Sequence, residues 1–102
     1  MIARTWRGWA DGAGAAGYEL HFRSSVLTEL ASLEGFMRAA LLRREQNGEV
    51  ELLVITWFAS MDAVRRFAGP DPARAVVQEE ARRLLLRYDE TVTHYEVPVS
   101  TS

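Results

Sequence analysis

A chain of 102 residues, 48% hydrophobic and 25% charged, is long enough for one domain with its own core and too apolar for disorder. The net charge is −2 and all 12 basic residues are arginines, scattered without a dense patch, so nucleic acid is not an expected partner. Cysteine is absent, which excludes disulfides, thiolate nucleophiles, iron–sulfur clusters and cysteine zinc sites.

The N-terminal MIARTWRGW is charged and aromatic with no apolar signal core, and no run approaches the roughly 18 apolar residues that span a bilayer. A cytoplasmic protein with no membrane partner is therefore expected. Ile2–Trp9 reads as a first strand, with Arg4 and Arg7 on opposite faces. Asp11–Ala16 is small and glycine-rich and reads as a loop. From Gly17 a helix follows, with Tyr18, Phe22, Val26, Leu30 and Leu33 along one stripe and Gly35 as its stop.

Phe36–Arg44 reads as a second strand, with Met37, Ala39 and Leu41 on one face and Phe36, Arg38, Ala40 and Leu42 on the other. Asn47-Gly48 is a strong hairpin signal because both residues tolerate positive φ, so this strand should pair antiparallel with Glu49–Phe58. Ser60 caps a helix with Met61, Val64, Phe67 and Ala68 on its apolar side, and Gly69-Pro70-Asp71-Pro72 ends it. A further helix is expected over Ala73–Leu86, then a last strand over Tyr88–Val97.

The order β-α-β-β-α-β predicts an α+β, ferredoxin-like split βαβ domain over 1–98, with a flexible tail at 99–102. Its antiparallel sheet would carry helices on one face. Glu49–Phe58 would carry Val50, Leu52, Val54, Thr56 and Phe58 on one face and Leu53, Ile55 and Trp57 on the other, so it is greasy on both. The helices of the chain can cover only one of the two faces. A second copy would cover the other, so a homodimer through the sheet face, a dimeric α+β barrel, is expected.

Gly12-Ala13-Gly14-Ala15-Ala16-Gly17 matches G-x-G-x-x-G, the dinucleotide spacing. Its strand carries two arginines, the next strand enters a hairpin and the chain is short for such a domain, so no dinucleotide is expected. His21 and His94 are the side chains that titrate near neutrality. Two histidines with no ligand motif predict no metal. Trp6 and Trp57 are either core or the walls of an aromatic pocket, where Arg4 or Arg38 would offer a fork to an anionic oxygen.

MIARTWRGW, the Leu-Glu-Gly-Phe turn, LLRRE before the hairpin, VITWFASMDAVRRFAG, FAGPDPARAVV and YDETVTHYEV together resemble the antibiotic biosynthesis monooxygenase-like family over about residues 1–97. The resemblance implies a dimeric α+β barrel with a pocket inside each subunit, between sheet and helices. Some members oxidise polycyclic phenols without a cofactor, others degrade haem, and many have no known activity. The haem-degrading branch relies on an Asn in the first strand, a Trp late in the second helix and a His soon after. Here the first strand has no Asn, Phe67 stands near the Trp position and Val76 or Val77 near the His position.

The expectation is a cofactor-free monooxygenase-like protein for a small phenolic or quinol-like substrate. His94 is the expected base and Arg4 the oxyanion holder; Trp6, Tyr18, His21, Arg38 and Trp57 would bind substrate. The rival is a non-catalytic dimeric barrel that sequesters a small hydrophobic metabolite. An open pocket of ~300 Å³ or more with a buried His or Arg would favour ligand chemistry, and a filled interior the rival. Isomerase or decarboxylase chemistry is a weaker third, since fold alone does not separate these.

Overall fold

Alternation along Glu49–Phe58 decides the architecture. In the computed structural model, which describes residues 1–101, this segment is strand β3. Every second residue from Val50 to Phe58 is buried, while Leu53, Ile55 and Trp57 are only half-buried. β3 pairs antiparallel with β1 (Ile2–Ala10) on one side and β2 (Phe36–Gln46) on the other. At the far edge β1 carries two short antiparallel strands, β4 (Arg87–Tyr88) and β5 (Thr93–Glu96). The order β2-β3-β1-β4, with β5 also on β1, is that of the expected split βαβ sheet.

One face of the sheet is covered by α1 (Gly12–His21), a π-helical turn over Phe22–Val26, α2 (Leu27–Ala31), α3 (Met61–Ala68) and α4 (Glu79–Leu84). Leu30, Leu52, Phe58 and Val64 are almost wholly buried there. Each contributes roughly 1.5–3 kcal/mol relative to an exposed side chain. The hairpin turn is as expected, with Asn47 at φ 54° and Gly48 at φ 79°. Ser60 accepts from the Ala63 amide at 3.2 Å and so starts α3.

The glycine-rich stretch is helix, not loop. Asp11 caps it, its carboxylate accepting from the Gly14 amide at 2.7 Å. A methyl group at Gly14 would collide with the Leu84 carbonyl, so the small residues of α1 let α4 approach closely. The G-x-G-x-x-G spacing therefore marks a helix–helix contact. Further along, a stripe repeating every four residues overshoots a 3.6-residue turn by about 40° each time. The wider π turn at Phe22–Val26 absorbs part of that drift, and the stripe stays aimed at the sheet.

The faces of β2 also differ from expectation. A bulge between Phe36 and Arg38 leaves Met37 exposed and puts Phe36 on the same side as Ala39 and Leu41. The helix expected over 73–86 forms only at Glu79–Leu84. Pro70 and Pro72 disfavour helical geometry before them, and Val76-Val77 is β-branched. Residues 73–75 instead bond to 90–92: the Ala75 amide donates to Glu90 O at 2.9 Å and the Val92 amide to Ala73 O at 2.8 Å. We call residues 69–78 the strap.

The expected last strand is split for the same reason. Gly8 faces Tyr88 and Thr5 faces Thr93, so three steps along β1 match five along its partner. The two extra residues lie in 89–92, the stretch that turns to meet the strap. The tail expected at 99–102 ends in Ser102, outside the described residues; Val99 is exposed. No helix among the described residues is long and apolar enough to cross a membrane.

Candidate functional site

Even-numbered residues of β1 point toward the helices, which takes Arg4 and Trp6 under the helical layer. Strand register then places Thr56 of β3 and His94 of β5 on either side of Arg4. Arg4 is 4% exposed, a buried guanidinium. Its Nη1 donates to Pro72 O at 2.6 Å and lies 3.1 Å from His94 Nε2, while Nη2 donates to Arg74 O at 3.0 Å. Its carbon sits 5.7 Å from the centre of the Phe67 ring.

None of the ion pairs among the described residues involves Arg4. Burial pushes its pKa down to about 10, so it remains a cation at neutral pH. A guanidinium has donors only, so the His94 nitrogen facing it must be an acceptor and the His94 proton sits on Nδ1. Desolvation, and then the Arg4 charge, holds the His94 pKa below the ordinary histidine value. His94 is thus neutral at pH 7, with one nitrogen already engaged.

Arg4 faces a cavity of about 60 Å³ between sheet and helices. That is room for about two water-sized groups, well short of the ~300 Å³ of a typical ligand pocket. Trp6, Val54, Phe67, Val76 and Val77 form apolar walls. Tyr18, His21, Glu29, Thr56 and Gln78 bring polar atoms to the same space. Trp6 is fixed by its indole N–H, which donates to Asp89 O at 2.8 Å, and its ring lies 5.9 Å from that of Tyr18. Tyr18 is buried, its hydroxyl bonds to none of the described residues, and burial raises its pKa, so it stays a neutral donor.

His21 comes from the last turn of α1 and is 6% exposed. Its Nδ1 makes no hydrogen bond, although a carboxylate oxygen of Glu80 lies 3.4 Å away. The two statements are compatible: the pair is close enough for charge attraction but misaligned for a hydrogen bond.

Of the residues expected to form the site, Arg4, Trp6, Tyr18 and His21 come together around this cavity. His94 does not line it and stands behind Arg4. Arg38 and Trp57 lie on the opposite face of the sheet, the guanidinium stacked 3.8 Å from the ring centre. Trp57 follows the odd parity of Leu53 and Ile55, and the bulge at Met37 brings Arg38 opposite it. Thr56 was missed, although strand parity alone marks it as inward-facing. Glu80 lies in the helix expected over 73–86, and nothing in its sequence neighbourhood marks it as a site residue. Phe67, Val76 and Val77, set by the resemblance near the Trp and His of the haem-degrading branch, do line the cavity. No group of three or more His, Asp or Glu among the described residues is arranged to hold a metal ion.

No protein-family profile matches the chain, and no curated protein does. Solved structures do. A protein from Deinococcus radiodurans described as an antibiotic biosynthesis monooxygenase is 11% identical with a TM-score of 0.66, over 100% of this chain and 97% of that one. SnoaB, a cofactor-independent oxygenase from Streptomyces nogalater, is 17% identical with a TM-score of 0.64, over 97% and 95%. The haem degrader MhuD from Mycobacterium tuberculosis, seen with two haems in its active site, is 25% identical with a TM-score of 0.60, over 100% of both chains. The chain thus has the fold of the antibiotic biosynthesis monooxygenase-like proteins, the family its sequence resembles.

Proposed function

We propose that this protein is a cofactor-independent oxygenase for a small phenolic or quinol-like molecule, which it binds as an oxyanion at Arg4. One observation carries the reading: a cation buried beneath the helices without a carboxylate partner. Desolvating a charge costs several kcal/mol unless an opposite charge compensates it. Carbonyls and a neutral imidazole supply dipoles, and a phenolate oxygen would supply the missing negative charge. The Trp6 and Phe67 rings suit a planar ligand, and the Tyr18 hydroxyl is a free donor for it.

In the oxygenation, the bound phenol first loses its O–H proton and the electron pair stays on oxygen. A ring C–H then becomes a quinone carbonyl while dioxygen takes up four electrons. One of its atoms stays in the product and the other leaves as water. The protein's part is to hold the electron-rich anion, orient the ring and keep bulk water out.

Such a ligand needs more space than 60 Å³, so the strap must give way. Arg4 holds the strap at Pro72 O and Arg74 O, and an incoming oxyanion competes for the same donors. The small volume also favours a second reading, a barrel that binds a metabolite without turning it over. Both readings include a homodimer through the open sheet face, where Leu42, Leu53, Ile55 and Trp57 form neighbouring rows. Oxygen uptake with simple phenols and hydroquinones separates the readings. Uptake lost in Arg4→Gln supports the oxygenase; saturable binding without uptake supports the second; neither binding nor uptake removes both.

A further inference from the structure

An oxyanion at Arg4 requires a base, and the chain offers two imidazoles. His94 is poorly placed. Its Nε2 faces Arg4 at 3.1 Å, and a proton there would set two cations against each other. His21 lines the cavity itself. Of the other charged and titratable groups that line this space (Arg4 from β1, Tyr18 from α1 and Glu29 from α2) none pairs with His21, whereas Glu80 of α4, outside the lining, does. Glu29 is engaged elsewhere, with the Gln78 amide at 3.1 Å.

We infer that His21, positioned by Glu80, is the base that takes the proton from a phenol bound at Arg4. The inference rests on the proposed oxyanion site. With the neutral ring's proton on Nδ1, facing the carboxylate, the lone pair is on Nε2, which bonds to none of the described residues. The phenol O–H bond breaks, its proton moves to Nε2, and the electron pair remains on the oxygen beside the Arg4 guanidinium. The imidazolium so formed lies against the Glu80 carboxylate, which tightens the 3.4 Å contact into a hydrogen bond. The Glu80 side chain is 75% exposed while that of His21 is 5% exposed, so the carboxylate connects a buried imidazole to bulk water and gives the proton a way out. Separate residues thus hold the anion and remove the proton, which lets Arg4 stay charged throughout.

The test uses the full chain and 3-nitrophenol, a probe whose ionisation is visible without turnover. At about pH 7.5 the free probe is mostly neutral while an ordinary imidazole is mostly unprotonated, and nitrogen-15 spectra of the two histidines report which one gains a proton. The expected result is a bound phenolate band together with an imidazolium signal at His21, the resonances being assigned with His94→Gln. His21→Gln should bind the probe with its ionised fraction reduced at least about tenfold. Glu80→Gln should displace the pH dependence of that ionisation, with partial rescue by Glu80→Asp, a readout that a merely structural role for Glu80 would not move. Proton gain at His94, or full ionisation in His21→Gln, overturns the inference while leaving the oxyanion site intact. Absence of saturable binding, or binding indifferent to Arg4→Gln, removes that site and the base with it.

Discussion

The two faces of one sheet treat arginine in opposite ways. On the open side Arg87 stacks 4.8 Å from the Trp9 ring centre and grips both oxygens of Glu49 at 2.8 and 2.9 Å. Arg38 sits over the Trp57 ring in the same environment. These cations keep their water, and Arg87 has a carboxylate besides. On the helical side Arg4 has neither, only carbonyls, a neutral imidazole and an aromatic ring. Surface charges find partners easily and gain little from them. A buried charge without an opposite charge is expensive, and the ligand anion proposed above would compensate it.

The largest effect that would break this contrast concerns the open side. If its apolar rows meet a second copy, Ile55→Asp places a carboxylate in the seam and should convert a dimer into a monomer. Sedimentation of the wild type as an 11.5 kDa particle would remove the dimer altogether.

A smaller but sharper effect is expected at Arg4. Arg4→Gln removes a charge-assisted hydrogen bond worth about 1.5–3 kcal/mol to a bound anion, a loss of roughly 10- to 100-fold in phenolate affinity. Its effect on folding should stay within about 2 kcal/mol, because relief of the desolvated charge offsets the bonds lost at Pro72 O and Arg74 O. Titration and thermal melting of the same variant check both halves. Equal affinity in variant and wild type would make Arg4 a purely structural cation.

The smallest effect is a pH dependence. The His94 pKa is lowered in the folded chain, first by desolvation and then by Arg4. The unfolded chain therefore binds this proton more readily, and stability rises with pH through that window. The His94 contribution should be complete above the unfolded value of about 6.5 and decline as pH falls toward the lower folded value. His94→Gln should flatten that part of the stability profile. An unchanged slope would mean that the Arg4–His94 contact carries no weight in solution.

Much of the fold was legible beforehand because it depends on short-range rules. The two-residue period of β3, the Asn47-Gly48 turn, the Ser60 cap and the stripe from Tyr18 to Leu30 each need only neighbouring residues to be understood. The site was legible in part. Arg4, Trp6, Tyr18 and His21 could be named as chemistry-bearing side chains, and strand parity takes the first two inward. What misled was irregular backbone. Residues 73–78 of the strap read as helix in sequence because their actual form depends on bonds to residues 90–92, and the phase of β2 turns on a bulge that no residue type announces.

Which histidine reaches the cavity was likewise decided only in three dimensions. Arg4 and His94 are 90 positions apart and meet because the excursion at 89–92 adds two residues to the register. An even offset keeps His94 on the helical side, where a single extra residue would have turned it to the open face. Local periodicity and capping follow from the covalent chain, because they are satisfied within a few residues. Burial of Arg4 without a counter-charge, and the closeness of His21 to Glu80, follow from how distant elements pack.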